Sequence, residues 1–199
     1  MSLLREYIKQ ILLTEAMKTP ADLPDDIVVV INADSKAASI YYGMANNPSE
    51  YASLDRSTMG AIDIYSLKGH PGYGNCGDAW MVGGSGAQEG FGPLLYDIAI
   101  EWATMNAGGI IADRSSVSVD AEWVWRHYME QRSGEVEAIQ LDDLNNKLTP
   151  QDEDNCDQDV PMDHEGPNGW QDSPLSKMYK KSPASTIEKL RSLGKLVEV

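Results

Sequence analysis

The chain is short of basic residues. Of 199 residues, 16 are Lys or Arg against 31 Asp or Glu, a formal net charge of −15. A surface so poor in cations repels nucleic-acid phosphates and anionic headgroups, which argues against binding to nucleic acid or membrane. Cysteine is scarce too. Cys76 and Cys156 are the two present, too few for a disulfide framework, so a reduced intracellular setting is the default expectation and a single bridge between them stays open. No apolar run reaches the roughly 20 residues that a membrane helix needs. The N-terminal apolar patch is broken by Arg5, Glu6, Lys9 and Gln10 and lacks a small-residue cleavage site, which reads against a secretory signal. His70, His127 and His164 are scattered, with no zinc-ligand spacing. The acid-rich stretch 151–166 lacks the EF-hand pattern and reads as a solvated loop, so no metal site is expected.

What is present fits an α/β domain. Leu4, Ile8, Ile11 and Leu12 recur at helical spacing and predict an amphipathic helix over 2–17, ended by prolines at 20 and 24. The β-branched run IVVVI (27–31) predicts a strand, and AASIYYGM (37–44) is expected to pair with it as a hairpin. AIDIYSL (61–67) and DAWMVGG (78–84) predict two more strands, separated by a glycine-rich loop. The pattern then turns helical, with apolar residues at 94, 95, 98, 102 and 105, Pro93 in the first turn and glycines past the end. Residues 109–113 read as a short buried strand, 118–132 as a helix capped by Ser118, and 136–141 as the last strand. Within that second helix Trp123 and Trp125 stand two apart and cannot share a face, so one is expected to line a slot or an interface. The expected organisation is a helix over 1–18, a domain over 19–141, and an irregular extension over 142–199 that wraps the domain. The extension's basic end carries a short helix near 184–193 and is expected to fold back on the acidic body.

Two neighbouring motifs offer different chemistries. GNCGDAW presents Cys76 in a pattern that resembles transglutaminase-like hydrolases, with His70 and His127 elsewhere in the chain. A catalytic thiolate usually sits at a helix N-terminus. Glycines at 77, 83, 84 and 86 make the residues after Cys76 strand-like instead. The favoured reading is a small buried hydrophobe, and a hydrolase using Cys76 is kept as an alternative. GAQEGFGPLL places Gly90, Phe91 and Gly92 between a strand and a helix. There the backbone can approach an anion and the helix start offers N–H groups. It matches neither the Walker nor the Rossmann spacing.

EGFGPLLYDIAIEWA, then GGIIAD, then SVDAEWVWRHYMEQR and a final strand resembles the core of the GNAT family of N-acetyltransferases, over about residues 27–141. The resemblance implies an α/β fold of α+β type: a mixed sheet of about six strands flanked by helices and splayed between the fourth and fifth. It implies acetyl-CoA, with its pyrophosphate on the amides of Gly90, Phe91 and Gly92, Gln88 beside them, and its carbonyl near Met81, Val82 and Gly83. Arg114 and Arg126 would supply compensating positive charge. Tyr128 is the implied acid for the leaving thiol, one turn beyond Trp125, which stands where the family's tyrosine is usual. Asp78, Glu89 and Asp113 are the candidate bases. Besides Trp125, the sequence departs from the family in three further ways. Ala87 occupies the usual Arg/Gln position, Pro93 removes one amide, and 71–92 contains no Lys or Arg.

The implied function is an acetyl-CoA-dependent N-acetyltransferase acting on a small-molecule or peptide amine. The acidic surface suggests a cationic acceptor such as a polyamine. LREYIKQILLTE resembles leader segments of proteins packed into tailed-phage particles, and LTE (13–15) fits their maturation-protease pattern. That implies an alternative: a non-catalytic GNAT-fold component of a phage virion, working with phage structural proteins. The implied location is the host-cell cytoplasm for the enzyme and the virion for the alternative. A homo-oligomer is open in either case.

Overall fold

Period-two burial builds the first half of the fold. In the computed structural model, which describes residues 17–48, 59–70, 72–88, 90–160 and 169–199, strands β1 (Ile27–Ala33), β2 (Ala37–Met44), β3 (Gly60–Ser66) and β4 (Trp80–Ala87) form an antiparallel meander. Val29 and Ile31, Ile40 and Tyr42, Ile62 and Ile64, and Trp80 and Val82 all point to one face and form the main core. Helix α1 (Gly92–Asn106) covers that face. Every residue from Leu94 to Ala103 on it is buried, because α1 lies between the sheet and the other helices.

Strand β5 (Ile110–Ile111) returns parallel to β4 and pairs with it at Trp80↔Ile110 and Met81↔Ile111. Its pairing stops there, while β4 runs on to Ala87. Helix α2 (Val119–Gln131) follows, and the Ser118 hydroxyl accepts the Ala121 amide at 3.2 Å, the cap expected from the sequence. Strand β6 (Val136–Gln140) is next.

The sheet has eight strands, not about six: its order is β6-β7-β5-β4-β3-β2-β1-β8. The two additional strands come from the segment expected to wrap the domain. Strand β7 (Lys177–Lys181) enters between β5 and β6, antiparallel to both, and β8 (Leu196–Glu198) adds in parallel to β1 at the far edge. Helix α3 (Ser185–Ser192) joins them. The sequence KMYKK hides β7 because three of its five residues are lysines. Lys181 is buried nonetheless, its ammonium 2.9 Å from Glu101 and 3.2 Å from Asp97 on α1. Among the described residues, no helix is long and apolar enough to cross a membrane.

Residues 142–160 are irregular, as expected, but held firmly. Asp142 and Asp143 are fully buried and accept main-chain N–H groups: Asp142 from Leu148 and Thr149, Asp143 from Asn145 and Asn146. Cys156 forms a disulfide with Cys76. Around that bridge Asn155 and Glu153 accept the amides of Cys76 and Gly77, and Tyr73 accepts that of Asp157. The helix expected over 2–17 lies outside the described residues, as do Glu89 and His164.

Candidate functional site

The pairing of β3 with β4 slips at one point. Asp63 faces Gly84 while Ile64 faces Val82, so Gly83 is an extra residue, a β-bulge. The aromatic ring of Tyr65 lies over it. A Cβ at position 83 would stand 2.2 Å from Tyr65 Cε2, so any other residue there must push the Tyr65 ring aside.

Gly83 borders two cavities. Consecutive β4 residues point to opposite faces, Val82 toward α1 and Met81 away from it. On the helix side a cleft of about 260 Å³ opens where β4 outruns β5. Its walls are residues 82–85 of β4, the loop after β5, and Ala121 and Trp125 of α2, with Tyr96 of α1 also lining it. On the other side a cavity of about 530 Å³ lies between the β1–β2 turn, the end of β3 and the loop before β4. Lys36, Tyr65, Lys68, His70, Tyr73 and Met81 form most of that wall, and Gly83 belongs to both linings.

The helix-side cleft carries hydroxyls and little charge. Tyr96 and Ser85 place their oxygens 3.0 Å apart. Burial pushes the Tyr96 pKa up, and the Ser85 hydrogen bond only partly opposes this, so the phenol keeps its proton. Trp125 meets Tyr96 edge-on at 5.3 Å and stacks on Tyr179 at 4.9 Å, which fixes the cleft's aromatic wall. Asp113 accepts both the amide and the hydroxyl of Ser115. Among the described residues, no Lys or Arg lines this cleft.

The glycine loop leads from β4 into α1. Gly90 has φ +85°, a backbone that favours glycine, and Phe91 donates its amide to Gln88. Tyr42 fixes the turn from below: its hydroxyl donates to the Phe91 carbonyl at 2.8 Å. Among the described residues the amides of Gly92 and Leu94 meet no acceptor, as the first turn of a helix requires, and Pro93 between them has none to offer. Lys18 donates its main-chain N–H to Gly90 at 3.0 Å, which brings one lysine to this loop.

The residues singled out from the sequence fall in different places. Met81, Val82 and Gly83 sit at the bulge, Gln88, Gly90, Phe91 and Gly92 form the turn, and Asp113 lines the cleft. Arg114 does not line it. Its guanidinium is fully buried and donates to the carbonyls of Asp142, Gln158 and Ser176, and burial lowers its pKa to about 10. Tyr128 is also fully buried, its hydroxyl 3.0 Å from Asp97 and 3.1 Å from the Pro93 carbonyl. Burial and the Asp97 charge hold its pKa well above the usual phenol value. Asp78 is exposed in the 3-10 turn Cys76–Asp78 and borders neither cavity. Arg126 pairs with Glu122 and Glu130 along α2. Glu89 lies outside the described residues. Cys76 has no free thiol, since its sulfur is bonded to Cys156.

Ser85, Tyr96, Lys18, Lys36 and Lys68 were not singled out from the sequence. Tyr96 carried a signal, since it lies four residues after Gly92 and so falls one helical turn above the glycine loop. The lysines carried none, because their approach depends on strand pairing. Among the described residues, no group of three or more His, Cys, Asp and Glu side chains is placed to hold a metal ion. Comparison with protein-family models, with curated proteins and with solved structures finds no match to this chain.

Proposed function

We propose that this chain is an acetyl-CoA-dependent N-acetyltransferase of GNAT type. The observation that carries the reading is the position of Gly83. A bulged glycine borders two cavities on opposite faces of the sheet, at the point where β4 outruns β5. A two-substrate transfer needs such a meeting point, with one substrate on each side, and here the exposed Tyr65 ring that lies over Gly83 must swing aside for the acceptor to reach it. The mixed sheet, with β5 parallel to β4 and separating from it beyond Met81, supports the same reading.

Acetyl-CoA would supply the acetyl group in activated form, as a thioester. The helix-side cleft would hold it, with the amides of Gly92 and Leu94 and the Lys18 backbone's neighbour Gly90 at the phosphate end. The bulge turns main-chain N–H groups of β4 out of the regular ladder, and these would polarise a carbonyl placed at Gly83. Tyr96 keeps a proton beside Ser85 and would deliver it to a departing thiolate. It takes the role that the resemblance assigned to Tyr128. The acceptor would enter from the Lys36–Tyr73 cavity, where the His70 imidazole is the side chain suited to removing the ammonium proton. A C–N bond forms and the C–S bond breaks.

Thermal unfolding with and without millimolar acetyl-CoA tests this. A hundredfold excess over Kd adds about 2.7 kcal/mol of stability and a visible rise in Tm. Gly92→Glu should remove that rise and still fold, since the nearest atom to a Cβ there is 3.9 Å away. No rise in the unmodified protein would reject the transferase reading. It would favour the second reading, a non-catalytic GNAT-fold structural or interaction protein of a phage particle. The absence of Lys and Arg from the cleft lining is the observation on that side.

A further inference from the structure

The acidity of the whole chain suggests a cationic acceptor, but the wall of the acceptor-side cavity has the opposite charge. Among the described residues its charged members are Lys36 and Lys68, joined by His70, and no Asp or Glu belongs to it. Three carboxylates come from the same elements: Asp78 is exposed in the loop before β4 and does not line the cavity, and the other two are engaged in hydrogen bonds. Asp34 accepts the amides of Lys36 and Ala37 within the β1–β2 turn. Asp63 accepts the Ser39 hydroxyl at 2.5 Å.

The two lysines belong to one end of the cavity. Ser66 donates its amide to the Lys36 carbonyl at 2.8 Å, and its hydroxyl accepts the Lys68 amide at 3.3 Å. One row inward, Ala37, Tyr65 and Met81 stand opposite one another across three strands and give the cavity an apolar floor. Gly83 lies beyond them, two residues along β4 from Met81, so roughly 7 Å separates it from that row. The cavity therefore has a cationic outer end, an apolar middle and, at its inner end, the bulge glycine with the Tyr65 ring over it. Its volume, about 530 Å³, is in the range of small-molecule sites.

We infer that the acceptor is an amine that also carries a carboxylate, of the size of an amino acid or a short peptide. Its anionic group pairs with Lys36 and Lys68 while its amine reaches Gly83. In a chain with net charge −15 a two-lysine wall free of carboxylates is the local exception that such a ligand needs. This rests on the transferase reading and narrows it. It replaces the polyamine class with its electrostatic opposite.

The test is a panel of the α-amino acids and short peptides, each beside its C-terminal carboxamide, with acetyl-CoA as donor and thiol release as the readout. The amides have the less basic amine, which favours them in uncatalysed acylation, so a preference for the free acids reports the protein. The expected result is a kcat/KM at least tenfold higher for the acids than for the amides. Lys36→Gln/Lys68→Gln should raise KM for the acids tenfold or more and abolish that preference. Both lysines are exposed, so the variant is expected to keep its Tm. Equal or better use of the amides, or of polyamines, overturns the inference and leaves the transferase reading standing. Acetyl-CoA binding without transfer to any member of the panel also overturns it. Failure to bind acetyl-CoA overturns the reading on which it rests.

Discussion

At residue scale the site depends on an atom that is missing. Gly83 has no side chain, and the Tyr65 ring occupies the space where one would be. Gly83→Ala must push that ring aside. Tyr65 is 45% exposed and can move, so we expect a modest cost of about 1–3 kcal/mol in stability. The displaced ring would crowd the acceptor cavity, and kcat/KM should fall by about tenfold or more, read by thiol release. Tyr65→Ala added to Gly83→Ala should restore part of that loss. No recovery in the double variant would mean that the alanine harms the bulge itself. Gly90 and Gly92 stood out in the sequence because glycines between a strand and a helix let the backbone approach an anion, and Gly83 was named as a site residue only through the family resemblance. Tyr128 lies away from the cleft because Trp125 and Tyr128 both face inward on α2, three residues apart, yet toward different neighbours: Trp125 toward Tyr96 in the cleft, Tyr128 toward Asp97 of α1. Helical periodicity tells which face is buried and says nothing about which neighbour each buried residue meets.

At the scale of elements, the strands and helices with clear periodicity were legible from Ile27 through Gln140, and β7 was not. A strand of lysines in the middle of a sheet is stable only if its charge is met, and the partners lie far away in sequence. Lys181 contacts Glu101 and Asp97, and Arg132 shares Asp97 at 2.7 Å. Glu101, itself fully buried, also accepts the amides of Thr186 and Ile187 and so fixes the start of α3. One carboxylate thus ties α1 to β7 and to α3. Lys181→Met leaves Glu101 buried and uncompensated, and we expect a loss of about 3–5 kcal/mol in denaturant unfolding. Glu101→Gln on that background removes the unpaired charge and should recover part of it. A Lys181→Met protein as stable as the original would show that the ion pair is not what holds β7 in the sheet. The disulfide was left open for a similar reason: Cys76 and Cys156 are 80 residues apart, and only the fold of 142–160 against the loop before β4 joins them.

At the scale of the whole molecule the net charge sets how any anionic substrate arrives. The field of 31 acids against 16 bases opposes acetyl-CoA, whose phosphates are anionic. Most nucleotide and phosphate sites meet such ligands with lysine or arginine, and their affinity falls as salt rises. Among the described residues the helix-side cleft has no Lys or Arg in its lining, and Lys18 is tied to the glycine loop by its main chain. On the proposed reading, neutral main-chain amides at Gly92 and Leu94 would hold phosphate through short-range hydrogen bonds, which salt barely screens. The repulsion from the rest of the surface is long-range, and salt screens it well: the Debye length is about 30 Å at 0.01 M and about 10 Å at 0.1 M. The two effects together give a sign. Raising NaCl from about 0.01 to 0.1 M should strengthen acetyl-CoA binding or leave it unchanged, and should speed association, measured by calorimetry and stopped-flow mixing. Lys18→Glu adds repulsion at the mouth of the site and should steepen that dependence while leaving the fold intact, since only the main chain of Lys18 is bonded to Gly90. An affinity that falls with salt would mean that cationic side chains grip the phosphates. The glycine loop would then be a turn that starts a helix, and the binding site would have to be sought elsewhere on the chain.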